Sequence, residues 1–252
     1  MPDARTLLIT GGSRGIGAAT ARLAAAAGYN VAITYVSNEA AADAVVRDIE
    51  KLQRKAIKIR CDTAKPDQIA KAFAAFDTHF DRLDAFFNNA GILGPAARFV
   101  DIPIAQLTAM LAVNTAGPFI AAQEAVRRMS TRLGGKGGVI VNMSSMAAKM
   151  GGAGESTDYG LSKGAIDTLT IGLAKELATE GIRVNAVRPG LIYTDIHQSS
   201  GIAGRVDKYK DLVPMKRGGT AEEVADAVLG LLSDKASYVT GTLVDIAGGR
   251  GI

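Results

Sequence analysis

TGGSRGIG, residues 10–17, carries four glycines in eight positions, directly after the apolar run Leu7, Leu8, Ile9. Glycine loses more backbone freedom on folding than any other residue. A cluster of them at a strand end therefore marks a sharp turn, a place where something large approaches the backbone, or both. From Gly15 onward the sequence turns Ala-rich with a helical pattern. The order strand, glycine turn, helix puts free N–H groups and the positive end of a helix dipole at the turn. That is where the pyrophosphate of a dinucleotide is held. The spacing is Gly11-x3-Gly15-x-Gly17 and not the general G-x-G-x-x-G, so the turn alone is compatible with a tight β–α connection without ligand.

Working outward, β-rich apolar runs alternate with helical patterns. The runs are TLLIT, NVAITYV, AIKIR, LDAFF, GVIVNMS, IRVNAV and TLVDI; the helical stretches cover 15–27, 39–53, 66–80, 104–132, 157–179 and 221–232. This alternation predicts an α/β protein: a single-domain Rossmann fold over 1–252, with a doubly wound seven-stranded parallel sheet and helices on both faces. GGKGG at 134–138 reads as a helix-to-strand turn and not as a linker. The one long irregular stretch, 191–219, is expected to be a substrate lid.

The 252 residues are 48% hydrophobic and 21% charged, with a formal charge of +4, as in an ordinary globular enzyme. Basic residues form no run, so no nucleic-acid partner is expected. A single cysteine, Cys61, excludes an intrachain disulfide and reads as a small buried hydrophobe. The first strand begins near Arg5, leaving no room for a signal peptide, and no uninterrupted run of ~18 apolar residues suggests a membrane span. A cytoplasmic location is the expectation. No Cys/His cluster suggests a metal, and neither paired carboxylates of the glycosidase kind nor a nucleophile elbow is present. His79 reads as helix surface and His197 as an exposed lid residue rather than a substrate contact.

Six motifs then occur in order: TGGSRGIG, NNAG at 88–91, Asn114 in LAVNTAG, Ser145 in IVNMSS, Tyr159 and Lys163 in YGLSK, and RPGLIYT at 188–194. Together they resemble the short-chain dehydrogenase/reductase family, over nearly the whole chain from residue 5 to the closing YVTGTLVDIAGG. The resemblance implies a nicotinamide cofactor and a catalytic set of Asn114, Ser145, Tyr159 and Lys163. It also implies cofactor contacts along Gly11, Ser13, Arg14, Gly15, Ile16 and Gly17; at Ser37, Asn38 and Asp62; at Asn89, Ala90 and Gly91; at Tyr159 and Lys163; and at Pro189, Gly190, Ile192 and Thr194.

The chemistry suits these residue types. Tyr159 and Lys163 are four apart and share a helix face. A free phenol, with pKa near ~10, is a poor proton carrier at neutral pH. An adjacent ammonium, together with an oxidised nicotinamide, favours phenolate, so Tyr159 is expected to exchange a proton with the substrate oxygen while hydride moves to or from nicotinamide C4. Lys163 would supply charge and a hydrogen bond to the cofactor ribose. Ser145, at a strand end, would donate to the substrate carbonyl oxygen. It is favoured over Ser144, although its separation from Tyr159, 14 positions, is one more than the commonest family spacing. Asn114 sits where NTAGP interrupts a helical pattern and could hold a relay water. Asp62, after the third strand, could accept from an adenine amino group.

No acid stands about 20 positions beyond the glycines, where one would select NAD(H); that count lands on Ser37, and Glu39 belongs to the next helix. Arg14 inside the glycine turn suits a 2′-phosphate. NADP(H) is therefore expected over NAD(H). The expected activity is hydride exchange between NADP(H) and a small secondary alcohol or carbonyl compound: a sugar-like polyol, a 3-oxoacyl thioester, a steroid or another ketone. A cofactor-binding regulator that no longer turns over is the alternative. A homotetramer is also expected. Gly164, Ala165, Leu169 and Leu173, with apolar positions of 104–132, would form one interface, and 221–232 with 242–246 a second.

Overall fold

The computed structural model describes residues 4–251. Seven strands form one parallel sheet: β1 (Thr6–Ile9), β2 (Asn30–Tyr35), β3 (Ala56–Arg60), β4 (Ala85–Asn88), β5 (Gly138–Met143), β6 (Ile182–Pro189) and β7 (Leu243–Ile246). Their order is β3-β2-β1-β4-β5-β6-β7. Side chains alternate across each strand, so β1 feeds two cores. Leu7 and Ile9 join Ile33, Val187, Val224 and Val228 on one face. Leu8 joins Phe73, Phe86, Ala121 and Ile140 on the other. This is why the central strands read as unbroken apolar runs instead of alternating ones.

On the first face lie α1 (Gly15–Ala26), α2 (Glu39–Lys51) and α9 (Ala221–Leu232). α3 (Pro66–Asp77), α5 (Gly117–Met129) and α7 (Thr157–Leu177) cover the second. Between β1 and β4 the strand order reverses, and the carboxyl ends of the two strands open a crevice there.

The predicted helix over 104–132 is in fact α4 (Ile104–Leu111), a π-helical turn over Ala112–Ala116, and α5, closed by a 3-10 turn. By length and composition the 26-residue span Ile104–Met129 could cross a bilayer. Here its Ala121, Ala125 and Met129 stripe packs on the sheet, and its last turns carry Glu124, Arg127 and Arg128. Two short helices were not legible beforehand, α6 (Met146–Met150) and α8 (Arg205–Tyr209). The irregular stretch 191–219 is folded back on itself: Ile192 bridges Gly219, and Tyr193 N–H donates to the Gly219 carbonyl at 3.0 Å.

Candidate active site

The turn after β1 is built by close approach. Gly11 holds φ +66°, in the left-handed region, and a Cβ on Gly17 would lie 2.4 Å from the Gly11 carbonyl oxygen. Gly11 N–H donates to Thr34 Oγ1 at 3.0 Å. Asn89 braces the same turn, its Nδ2 donating to the carbonyls of Thr10 (2.9 Å) and Gly11 (3.0 Å). Thr10 Oγ1 accepts from the N–H groups of Asn89 and Ala90. The N–H groups at the start of α1 receive no side-chain cap, and the first turn holds no acid. α2 and α9, by contrast, are capped by Asn38 and by the Thr220–Glu223 capping box. α1 is thus left ready for an anion, and the turn fits a pyrophosphate.

A cleft of about 590 Å³ runs from this turn along the carboxyl edge of the sheet. All the sequence-predicted site residues except Asn114 line it. Arg14 is exposed at its mouth and makes no ion pair among the described residues. Ser37 and Asn38 lie beside it. Glu39 is turned away, bound to Lys58 at 2.7 Å. Asp62 reaches the cleft but also orders its own turn, where its Oδ1 accepts from Ala64 N–H at 3.0 Å. Gly15 faces Thr194 across the cleft, with its Cβ position 3.5 Å from Thr194 Cγ2.

Tyr159 and Lys163 rise from α7. Lys163 is 2% exposed, donates to the Met143 carbonyl at 2.8 Å, and has its Nζ 5.7 Å from the centre of the Tyr159 ring. Burial pulls its ammonium down to about 8, against the field of Asp167. Tyr159 keeps some surface on the cleft. Burial pushes its phenol up from the ordinary value, while a hydrogen bond with Ser145 and the charge of Arg205 pull the other way. The sequence pointed to Lys163 as the group that lowers the phenol. In the protein alone burial wins, because the ammonium faces the ring and the Met143 carbonyl.

The two serines divide their tasks. Ser144 is buried and donates to Asp167 Oδ1 at 2.7 Å. Asp167 in turn holds Arg188, with Nη2–Oδ2 at 2.7 Å, and so anchors the strand that leads into Pro189. Ser145 N-caps α6 and meets the Tyr159 phenol. Asn114 is fully buried in the π turn. Its Oδ1 accepts from Ile92 N–H (2.8 Å) and its Nδ2 donates to the Ile92 carbonyl (2.9 Å), which ties the stretch after Gly91 to the helix. A Cβ on Gly91 would lie 3.3 Å from Asn114 Oδ1 and 3.4 Å from Lys163 Nζ, so a side chain at Gly91 would crowd both groups.

His197 is not the exposed lid residue expected from the sequence. It is half-buried and lines the cleft. Its Nε2 meets the Ile192 carbonyl at 3.0 Å, while its buried Nδ1 has no partner among the described residues. Burial lowers its pKa, so the ring is neutral at pH 7 and presents an acceptor lone pair at Nδ1. Glu155, Arg205 and Arg250 also line the cleft and had no signal in the sequence. Their neighbours are brought to them only by the fold.

A family model described as enoyl-(acyl carrier protein) reductase matches residues 11–250. The chain is 51% identical over 243 residues to an oxidoreductase of Escherichia coli, YgfF, covering 96% of this chain and 98% of that one. It is 36% identical to the 3-oxoacyl-[acyl-carrier-protein] reductase FabG of Aquifex aeolicus, over 96% of this chain and 95% of that one. Among solved structures, a short-chain dehydrogenase from Burkholderia cenocepacia in complex with NADP superimposes with a TM-score of 0.91 at 35% identity, covering 98% of each chain. By these matches, and by its seven-stranded Rossmann sheet, the chain belongs to the short-chain dehydrogenase/reductase family, whose members bind a nicotinamide cofactor.

Proposed function

We propose that this oxidoreductase exchanges hydride between NADP(H) and a small secondary alcohol or carbonyl compound, with Tyr159 as proton donor and acceptor. The observation that carries this is the meeting of Tyr159, Ser145 and Lys163 in the cleft that begins at the uncapped, glycine-built start of α1. The cofactor supplies the hydride. Ser145 orients the substrate oxygen toward the phenol, and Tyr159 gives it a proton in reduction or takes one in oxidation. Lys163 favours the ionised phenol and holds the cofactor ribose. Asn114 fixes the stretch after Gly91 through Ile92 and supports a water path from Lys163 to solvent. The stretch 191–219 acts as a lid and keeps bulk water from the reacting atoms. A panel of ketones, aldoses and 3-oxoacyl thioesters, run with NADPH and with NADH, tests this; no carbonyl-dependent oxidation of either cofactor would favour a silent regulator.

Preference for NADP(H) rests on the unpaired Arg14, on Ser37 where an acid would select NAD(H), and on the diversion of Glu39 to Lys58. Changing Arg14→Ala together with Ser37→Asp is expected to lower the NADPH/NADH ratio of kcat/KM by on the order of a hundredfold, since a charge-assisted contact is lost and a repulsive carboxylate is gained. A wild type that already prefers NADH would overturn the assignment.

We also propose a homotetramer. The outer side of α7 leaves Leu161 59% and Ile171 39% exposed, Phe119 of α5 is 50% exposed, and nothing lies within 4 Å of a Cβ built on Gly164 or Gly172. These positions suit close helix–helix contact between copies. Leu173 and the apolar side of α9 are less available than expected from sequence, because they pack on their own sheet. The second interface would therefore use the half-exposed edge strand β7. Light scattering at micromolar concentration should give four times the chain mass; a fully active monomer would refute it.

A further inference from the structure

Beyond Tyr159 the cleft ends in charge. Two acids line it there. Asp195 is exposed and accepts from Gln198 Nε2 at 3.3 Å, and both oxygens of Glu155 are taken: Oε2 accepts from Arg205 Nη2 at 2.5 Å and Oε1 from the Tyr209 hydroxyl at 2.5 Å. Arg250 faces the same end of the cleft, half-buried, and makes no ion pair or side-chain hydrogen bond among the described residues. Its position is built. After β7 the chain turns through Gly248, Gly249 and Gly251 at φ +59°, +87° and +92°. Met215 N–H donates to the Gly248 carbonyl at 3.1 Å. A Cβ on Gly249 would lie 2.9 Å from Pro214, and one on Gly251 2.5 Å from Met146. Arg250 is thus set between the 213–215 stretch and α6, on the substrate side of Ser145.

Arg205 is matched by Glu155, and exposed Asp195 makes no ion pair with Arg250 among the described residues, so Arg250 is left without a counter-charge in contact. Burial lowers the Arg250 pKa, and the field of Arg205 adds to this, against Glu155 and Tyr209. His197, neutral, offers no counter-charge. A half-buried cation without a partner is costly unless an anion completes it. The cofactor pyrophosphate does not serve. Its turn follows β1, whereas Arg250 follows β7, four strand spacings or roughly 19 Å across the sheet.

We propose that Arg250, backed by the Arg205–Glu155–Tyr209 cluster, receives an anionic group of the substrate, so that the compound turned over is an oxo or hydroxy compound bearing a carboxylate or a phosphate. This rests on the oxidoreductase activity proposed above and names its substrate class. The anion takes no part in bond making; it fixes which end of the substrate reaches Tyr159.

The test compares charged probes with neutral twins: 4-oxopentanoate against its methyl ester, and dihydroxyacetone phosphate against dihydroxyacetone. Each is measured as kcat/KM with NADPH and as calorimetric affinity for the protein saturated with NADP⁺. At least one anion is expected to exceed its twin by on the order of tenfold. That ratio should collapse to near unity in Arg250→Ala and be kept in part in Arg250→Lys, and the favoured pair tells carboxylate from phosphate. No preference for either anion in the wild type, or a preference unmoved in both variants, would overturn the proposal. Anion binding that depends on Arg250 without reduction of any carbonyl compound would uphold the anion site and overturn the oxidoreductase activity. Reduction of the neutral probes without anion preference would do the reverse.

Discussion

Replacing Tyr159 by phenylalanine is expected to lower kcat on the order of a thousandfold, in the middle of what a positioned proton donor contributes, while NADPH affinity stays within about threefold of wild type. Phenylalanine keeps the ring against Lys163 and loses only the hydroxyl that meets Ser145. Because burial already holds the phenol protonated in the protein alone, the group is poised to give a proton in the direction of carbonyl reduction. The measurement is kcat for a verified substrate beside an NADPH titration by fluorescence. Near-wild-type kcat would remove Tyr159 from its assigned role.

Lys163→Ala is expected to lower kcat/KM by on the order of a hundredfold and to weaken NADPH binding as well. The change removes the cation beside the phenol and leaves the Met143 carbonyl without its donor. Lys163→Met, which keeps the volume, should show the same loss, and this separates charge from packing. A pH profile gives a second readout. The free protein holds the Lys163 ammonium at about 8, so wild-type kcat/KM with NADPH varied should carry an inflection there, charged form below and neutral form above. Both variants should lack it. The linkage has a definite sign. Between about 8 and the ordinary lysine value of 10.5 the unfolded chain binds the extra proton, so this residue's contribution to stability rises with pH across that window. Unchanged NADPH affinity with an unmoved profile would show that Lys163 lacks this role.

The expected anion subsite would also explain why 191–219 and the stretch after β7 are packed together. Met215 and Pro214 pack on Gly248 and Gly249, so the 191–219 stretch supports the turn that carries Arg250. Specificity would then depend on two segments more than 30 positions apart in the chain.

Local order set by itself a large part of this protein. Leu7, Leu8 and Ile9 are buried on both faces of β1, and an unbroken apolar run of that length before glycines already says buried parallel strand. Gly11 and Gly15 announce the turn because their positive φ favours glycine, and Gly17 because a Cβ there would strike the Gly11 carbonyl. Tyr159 and Lys163 pair through helical spacing alone. Other features depended on contacts far apart in sequence, which no local pattern encodes. Glu155 meets Arg205 across 50 positions and Asn114 clamps Ile92 across 22. Ser144 and Ser145, adjacent in the chain, part company only when Asp167 takes one and Tyr159 meets the other. His197 turned inward through a nearer contact, the Ile192 carbonyl five positions back, in an irregular stretch whose path no periodicity reveals. The pKa of Tyr159 followed burial more than its i+4 neighbour, since desolvation depends on everything packed around a group and charge pairing on one partner.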